Sequence, residues 1–197
     1  MTPNLDPSEL RTLGLGAVGT DVRIHRSVLF FGQHNVFIGN HVRIDCQAVI
    51  AAGEAGIYIG DHIHLAAGVY LFGSGGKVTL GDFCGLSARV CVYTASDDYV
   101  DGFLTGPTVP EPYKKLARGD VFAEKHVIVG AGSIILPGVH LGFGAAVGAL
   151  TVVRKAVGPG DIVAGNPARP LAKQRDVARL RNLEAQLLND EKTMPQG

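Results

Sequence analysis

The chain has 197 residues, 46% of them hydrophobic, which is enough for one domain with a continuous core and too little for two comfortable ones. Its 18 basic and 18 acidic residues cancel and form no basic block, so the electrostatic footprint of a nucleic-acid binder is missing. The N-terminal MTPNLDPSEL carries no apolar run, and no stretch of about 18 apolar residues occurs anywhere. These features argue against a secretory signal or membrane insertion and predict a cytoplasmic enzyme acting on small molecules.

The 27 glycines recur with a period. Counting from the apolar residue before each V-G, I-G or L-G step, inward positions fall at Val18, Ile24, Phe30, then Ile38, Ile44, Ile50, then Ile59, Leu65, Leu71, then Leu80, Leu86, Val92. After an interruption the same phase resumes as Ala123, Val129, Ile135 and Leu141, Val147, Val153. Within each triplet the spacing is six, as expected when a short strand and a tight turn make one face of a triangular coil. The reading is an all-β fold, a parallel β-helix of hexapeptide repeats. Glycine follows the first phase residue in five of the six coils, at Gly19, Gly39, Gly60, Gly81 and Gly142, where the backbone turns with little room. Small bulged loops enlarge the early coils, among them GSGGK at 73–77, which lacks the spacing of a phosphate loop.

From Tyr93 to Phe122 the period stops, and a proline-containing, acidic insertion takes its place. A loop of this length inside a compact domain is usually functional. It is expected to run over the surface and to line an acceptor site between subunits. The repeat domain is assigned to 1–169 and a C-terminal helix and tail to 170–197. The spacing of Val177, Leu180, Leu183, Leu187 and Leu188 predicts an amphipathic helix from about Pro170 to Leu188, which covers the open end of the β-helix or packs on a neighbouring subunit. Cys46, Cys84 and Cys91 show no C-x-x-C spacing, so neither a disulfide framework nor a metal site is expected, only small buried thiols.

The segment VIVGAGSIILPGVHLGFGAAVGALTVVRKAVGPGDIVAGNPARP, 127–170, resembles the final coils of the bacterial hexapeptide-repeat acyltransferases, and the likeness extends through the repeats. It implies a left-handed β-helix and a homotrimer with active sites at subunit interfaces. It also implies acetyl-CoA as co-substrate. SDDY followed by LTGPTVPEPY is most similar to members that acetylate sugars or nucleotide-linked amino sugars for lipopolysaccharide and other surface polysaccharides; O-acetylation of a free saccharide is the alternative. The maltose and galactoside acetyltransferases carry a catalytic histidine where this chain has Asp97, in YTASDDY.

Acyl transfer from a thioester requires proton removal from the acceptor and stabilisation of an oxyanion. The resemblance puts the turns Gly130 to Gly132 and Gly148-Ala149 beside the thioester, as backbone donors. Candidates for the base are Asp97, Asp98, His64 and His126. The aspartates equally suit loop capping, and the histidines equally suit structural use. His126 is favoured as base together with Asp97, with Asp98, Tyr99 and His64 on the substrate. An amine that binds neutral also allows a mechanism with no dedicated base. Coenzyme A needs cations for its phosphates, and Arg154, Lys155, Arg169 and Lys173 lie where the family places them, although solvated surface charge is the plain alternative. A γ-type carbonic anhydrase would need zinc-binding histidines whose His-x4-His spacing is absent, and a non-catalytic scaffold would not need the insertion.

Overall fold

The computed structural model describes residues 3–193. Short strands stack into three parallel sheets that form the faces of a left-handed triangular β-helix. Face one holds Ala17–Val18, Val36–Ile38, Ile57–Ile59, Val78–Leu80, Val121–Ala123 and His140–Leu141. Face two runs from Arg23–Ile24 through Arg43–Ile44, His64–Leu65, Gly85–Leu86, Ile128–Val129 and Ala146–Val147 to Asp161–Ala164. Face three runs from Leu29–Phe31 through Val49–Ala52, Tyr70–Gly73, Cys91–Tyr93 and Ile134–Ile135 to Val152–Val153.

All phase residues except Val18 and Phe30 are buried, and both exceptions belong to the first coil. From the second coil on, the position two residues before each phase residue is buried too, as strand alternation requires: Val36 before Ile38, Val42 before Ile44, Val69 before Leu71. Where this second inward position is Ser133 or Thr151, its hydroxyl donates to a neighbouring carbonyl, Gly148 at 2.8 Å or Ala149 at 3.3 Å, so no buried donor is stranded. Only one thiol, Cys84, meets the expectation of burial, and burial pushes it up to about 12; Cys46 and Cys91 are half-buried.

The helix α1, Pro7–Thr12, closes a capping box between Asp6 and Glu9. Glu9 also pairs with Arg26 of the first coil at 2.7 Å, and Leu10 packs against the core. The helix α2, Val177–Thr193, starts later than expected and does not take the first of its two expected places, the open end. Residues Arg169–Gln174 form a strand instead, antiparallel to Asp161–Ala164, because the last strand of face two offers an open edge whose groups need partners. The helix begins only after Asp176, whose carboxylate accepts from the Arg179 amide at 2.9 Å. It then lies along the corner between faces one and two rather than over the end of the coil stack. Val177 meets Gly160, Leu180 meets Gly144, Glu184 meets His126 and Glu191 meets His62. About 21 Å of helix between Val177 and Glu191 matches about 19 Å of stacked coils, which is why the contacts repeat. The tail at 194–197 lies outside the described residues.

Candidate active site at the insertion corner

The strand ladder continues through Tyr93, opposite Phe72, and resumes at Val121, opposite Val78, so the excursion covers 94–120 rather than 93–122. It leaves the corner between faces three and one as a hairpin, Ala95–Asp97 antiparallel to Leu116–Arg118. Its root is fixed by Thr94, fully buried, whose hydroxyl donates to the Phe72 carbonyl at 3.0 Å and accepts from the Gly75 amide at 3.0 Å. The GSGGK loop forms the bed of this hairpin. A Cβ at Gly75 would stand 2.5 Å from the Thr94 carbonyl, so only glycine fits, and the Lys77 amide donates to Asp120 at 2.8 Å.

Beyond the hairpin the two aspartates separate in role. Asp98 accepts from the amides of Val100 and Phe103, each at 3.2 Å, and of Asp101 at 2.9 Å. These bonds, Asp101's foremost, hold its carboxyl below the usual range, so Asp98 is the capping residue of its own loop. Asp97 accepts one long bond, from the Gly106 amide at 3.2 Å, and its other carboxylate oxygen has no partner among the described residues. Tyr99, 89% exposed, stands at the tip of the loop.

Two coils further along the same corner are Arg154 and Lys155. They line a pocket of ≈ 500 Å³ with Arg169, Val157, Val163 and Ala168. Lys173 does not line it and sits exposed on the Arg169–Gln174 strand. Arg154 and Lys155 therefore share the corner of the insertion, and Arg169, paired with Ala164 at the end of face two, reaches their pocket.

The expected backbone donors occupy a second corner, between faces two and three. Here close coil stacking requires Gly130, where a Cβ would meet the Ala149 nitrogen at 2.5 Å, and a left-handed backbone at φ 69° favours glycine at Gly132. Their amides are already used: Gly130 donates to Val147, Gly132 to Ala88 and Gly148 to Val163. Ala149 is exposed, and its amide has no acceptor among the described residues; the same holds for Ala131 one coil below. Sequence reasoning named Ala149 itself, but named the Gly130 to Gly132 turn by its glycines rather than by Ala131 between them.

His126 lies at the third corner, beneath α2. Its backbone is left-handed, with φ 62°, and its ring stacks on Phe83 at 4.8 Å and meets Phe143 edge-on at 5.2 Å. Its Nε2 faces Glu184 at 3.0 Å, and its side chain is 11% exposed. His126 is thus covered by α2, and within one chain a whole face separates it from Asp97, the residue expected to act with it. His64 points outward from face two, as its phase implied, and its Nε2 pairs with Asp45 at 2.8 Å.

No family model matches the chain. It is 42% identical over 170 residues, 86% of its length, to the dTDP-4-amino-4,6-dideoxy-D-glucose acyltransferase of Escherichia coli, covering 88% of that protein. Its fold superposes with a TM-score of 0.90 on AntD, an N-acyltransferase from Bacillus cereus, solved with dTDP and 3-hydroxybutyryl-CoA; identity is 35%, over 98% of this chain and 100% of AntD. An AntD variant solved with dTDP-4-amino-4,6-dideoxyglucose and coenzyme A superposes at 0.86, covering 94% of this chain and 98% of that one. The chain belongs to the hexapeptide-repeat acyltransferases. As an acyltransferase of this family it uses acyl-CoA as co-substrate, and the carbonic anhydrase and scaffold readings fall away. The cationic pocket at the insertion corner suits the phosphates of that co-substrate. Among the described residues, no helix is long and apolar enough to cross a membrane.

Proposed function

We propose that this acyltransferase moves an acyl group, acetyl in the simplest case, from coenzyme A to the 4-amino group of a dTDP-linked 4-amino-4,6-dideoxy sugar in the cytoplasm. The observation that carries this reading is the kinship with the E. coli enzyme across nearly its whole length. The amine nitrogen attacks the thioester carbonyl, the C–N bond forms, the C–S bond breaks with coenzyme A leaving as the thiolate, and the ammonium proton must be lost. Asp97 is the side chain proposed to hold that amine and take the proton, since one of its oxygens is unbonded on the described chain. Solved AntD variants replace an aspartate or a serine ten residues apart in that chain, and Ser87 and Asp97 have the same types and separation here. That parallel supports Asp97 and adds Ser87 to the candidate residues.

Ala149 and Ala131, on a different corner from Asp97, offer the unbonded amides suited to the oxyanion and the pantetheine arm. A site using both corners takes one of them from a second copy, which supports a homotrimer with the active sites between subunits. Arg154, Lys155 and Arg169 bind the coenzyme A phosphates, and Tyr99 reaches over the acceptor from the loop tip.

The test is turnover of dTDP-4-amino-4,6-dideoxyglucose with acetyl-CoA, followed by thiol release and by mass spectrometry of the sugar nucleotide. An acetamide product with no reaction of dTDP-glucose supports the proposal. Equal acetylation of the two would show hydroxyl transfer and overturn it.

A further inference from the structure

The corner beneath α2 holds a group of side chains that acyl transfer does not use. His41 and His62 occupy equivalent places one coil apart, both with left-handed backbone at φ 55°, and Glu191 descends on them from the last turn of α2. One ligand-capable atom from each of the three lies within 4.8 Å of the others. The His62 Nε2 and a Glu191 oxygen are already 3.5 Å apart, close to the edge of about 3.3 Å that follows from tetrahedral zinc with bonds near 2.0–2.1 Å. His41 makes its other contact through Nδ1, with Asp21 at 3.3 Å. A carboxylate on Nδ1 leaves Nε2 with its lone pair outward, the arrangement seen where a second carboxylate orients a metal-bound histidine. His41 and Glu191 are 44% and 35% exposed at their side chains, so both have room to rotate inward and an ion can reach them from solvent. Closing the group requires the stack of the two rings, 4.7 Å between centroids, to open by a tilt of His41.

We infer that His41, His62 and Glu191 form a binding site for a divalent transition-metal ion of the zinc class, with Asp21 as the orienting carboxylate and water completing the coordination. Two imidazoles and one carboxylate are the donor set that such ions prefer over calcium or magnesium. The ligands come from two coils and from the far end of α2, so the ion ties the helix end to the coils and binds only the folded chain.

The test is titration of zinc into metal-stripped full-length protein at neutral pH by calorimetry, with cobalt(II) absorption as a second readout. One ion per chain is expected, with a rise in the melting temperature. His62→Phe keeps a stacked ring, as Phe83 does one coil on, but removes a ligand; Glu191→Gln removes another at an accessible helix end. Each is expected to weaken zinc binding at least about tenfold, and Asp21→Asn by about 10- to 100-fold. His140→Ala, a surface histidine paired with Glu124 on face one three coils beyond His62, should leave it unchanged. Absence of binding overturns the proposal. So does binding that survives both His62→Phe and Glu191→Gln, or that falls as much with His140→Ala, since the ion would then sit on surface histidines. Should His62→Phe fail to fold, Glu191→Gln alone decides.

Discussion

Two corners of the same prism handle charged side chains in opposite ways. Under α2, rings stack from His41 to Phe83 and on to His126, while Glu184, Lys125, Arg175 and Glu191 meet groups of the coils or of the helix. At the insertion corner, Asp98 is spent on its own loop, Asp97 keeps one carboxylate oxygen without a partner among the described residues, and Arg154 and Lys155 line a pocket two coils on. The repeat is the same; what differs is whether a second element covers it. A left-handed backbone costs a non-glycine residue roughly 1–2 kcal/mol, and ring stacking of roughly 0.5–1.5 kcal/mol per pair offsets much of that at the covered corner. The comparison bears on His126, whose ring belongs to a ladder and whose Nε2 faces a half-buried carboxylate, and for which we propose a structural role.

The largest effect should come from the uncovered corner. Asp97→Ala is expected to lower kcat/KM for the amino sugar by about 10² or more, the usual scale for loss of a proton acceptor. Acyl-CoA binding should stay near normal, and both are read by steady-state kinetics and calorimetry. A variant within a few-fold of wild type would leave orientation without a base as the mechanism. Next, the common core: Leu65→Ala should cost about 2–5 kcal/mol in denaturant unfolding, since Leu65 is fully buried and its coil neighbours cannot collapse inward. Arg169→Ala and Lys155→Ala should raise KM for acyl-CoA more than they lower kcat, the mark of lost uniform binding. Unchanged KM in both would remove the cationic pocket from the coenzyme site.

The smallest catalytic effect is expected from His126→Ala, with kcat nearly unchanged and the loss appearing instead in α2. Burial opposes ionisation of Glu184, but hydrogen bonds from His126 and Lys125 outweigh it and hold its carboxyl below the ordinary 4.5. A group lowered on folding stabilises the folded state above its unfolded pKa, and this contribution disappears as pH falls through the folded value. Docking of α2 should therefore weaken in acid below about pH 4.5, and His126→Ala should lessen that dependence. Hydrogen exchange of the α2 amides reads both effects, and a large kcat loss in His126→Ala with α2 still docked would return the base role to it.

Much of the fold was legible because six-residue spacing is a local property: one strand and one turn decide which side chain points inward, and Ile44, Leu65 and Leu86 follow without knowledge of the rest. That Arg154, Lys155 and Arg169 gather near AGNPARP was equally legible, since they sit next to a recognisable repeat boundary. The division of labour between Asp97 and Asp98 was not, because it depends on which carboxylate the loop amides of Val100, Asp101 and Phe103 curl around. That Ala131 and Ala149 rather than their neighbouring glycines keep the unbonded amides was not legible, because an unbonded amide leaves no mark in residue type.

By itself, the sequence determined the period, hence the triangular coil, its inward residues, the position of the insertion and the family. Only the tertiary structure decided which corner each group belongs to. Residues one coil apart are about twenty positions apart in the chain yet about 4.8 Å apart in space, whereas residues of one coil separated by a face never meet. Where α2 lies is a matter of matching lengths and of burial along a corner formed by five coils. No local pattern could show that it would cover His126, or bring Glu191 to His41 and His62, because those neighbours are made by packing at long range.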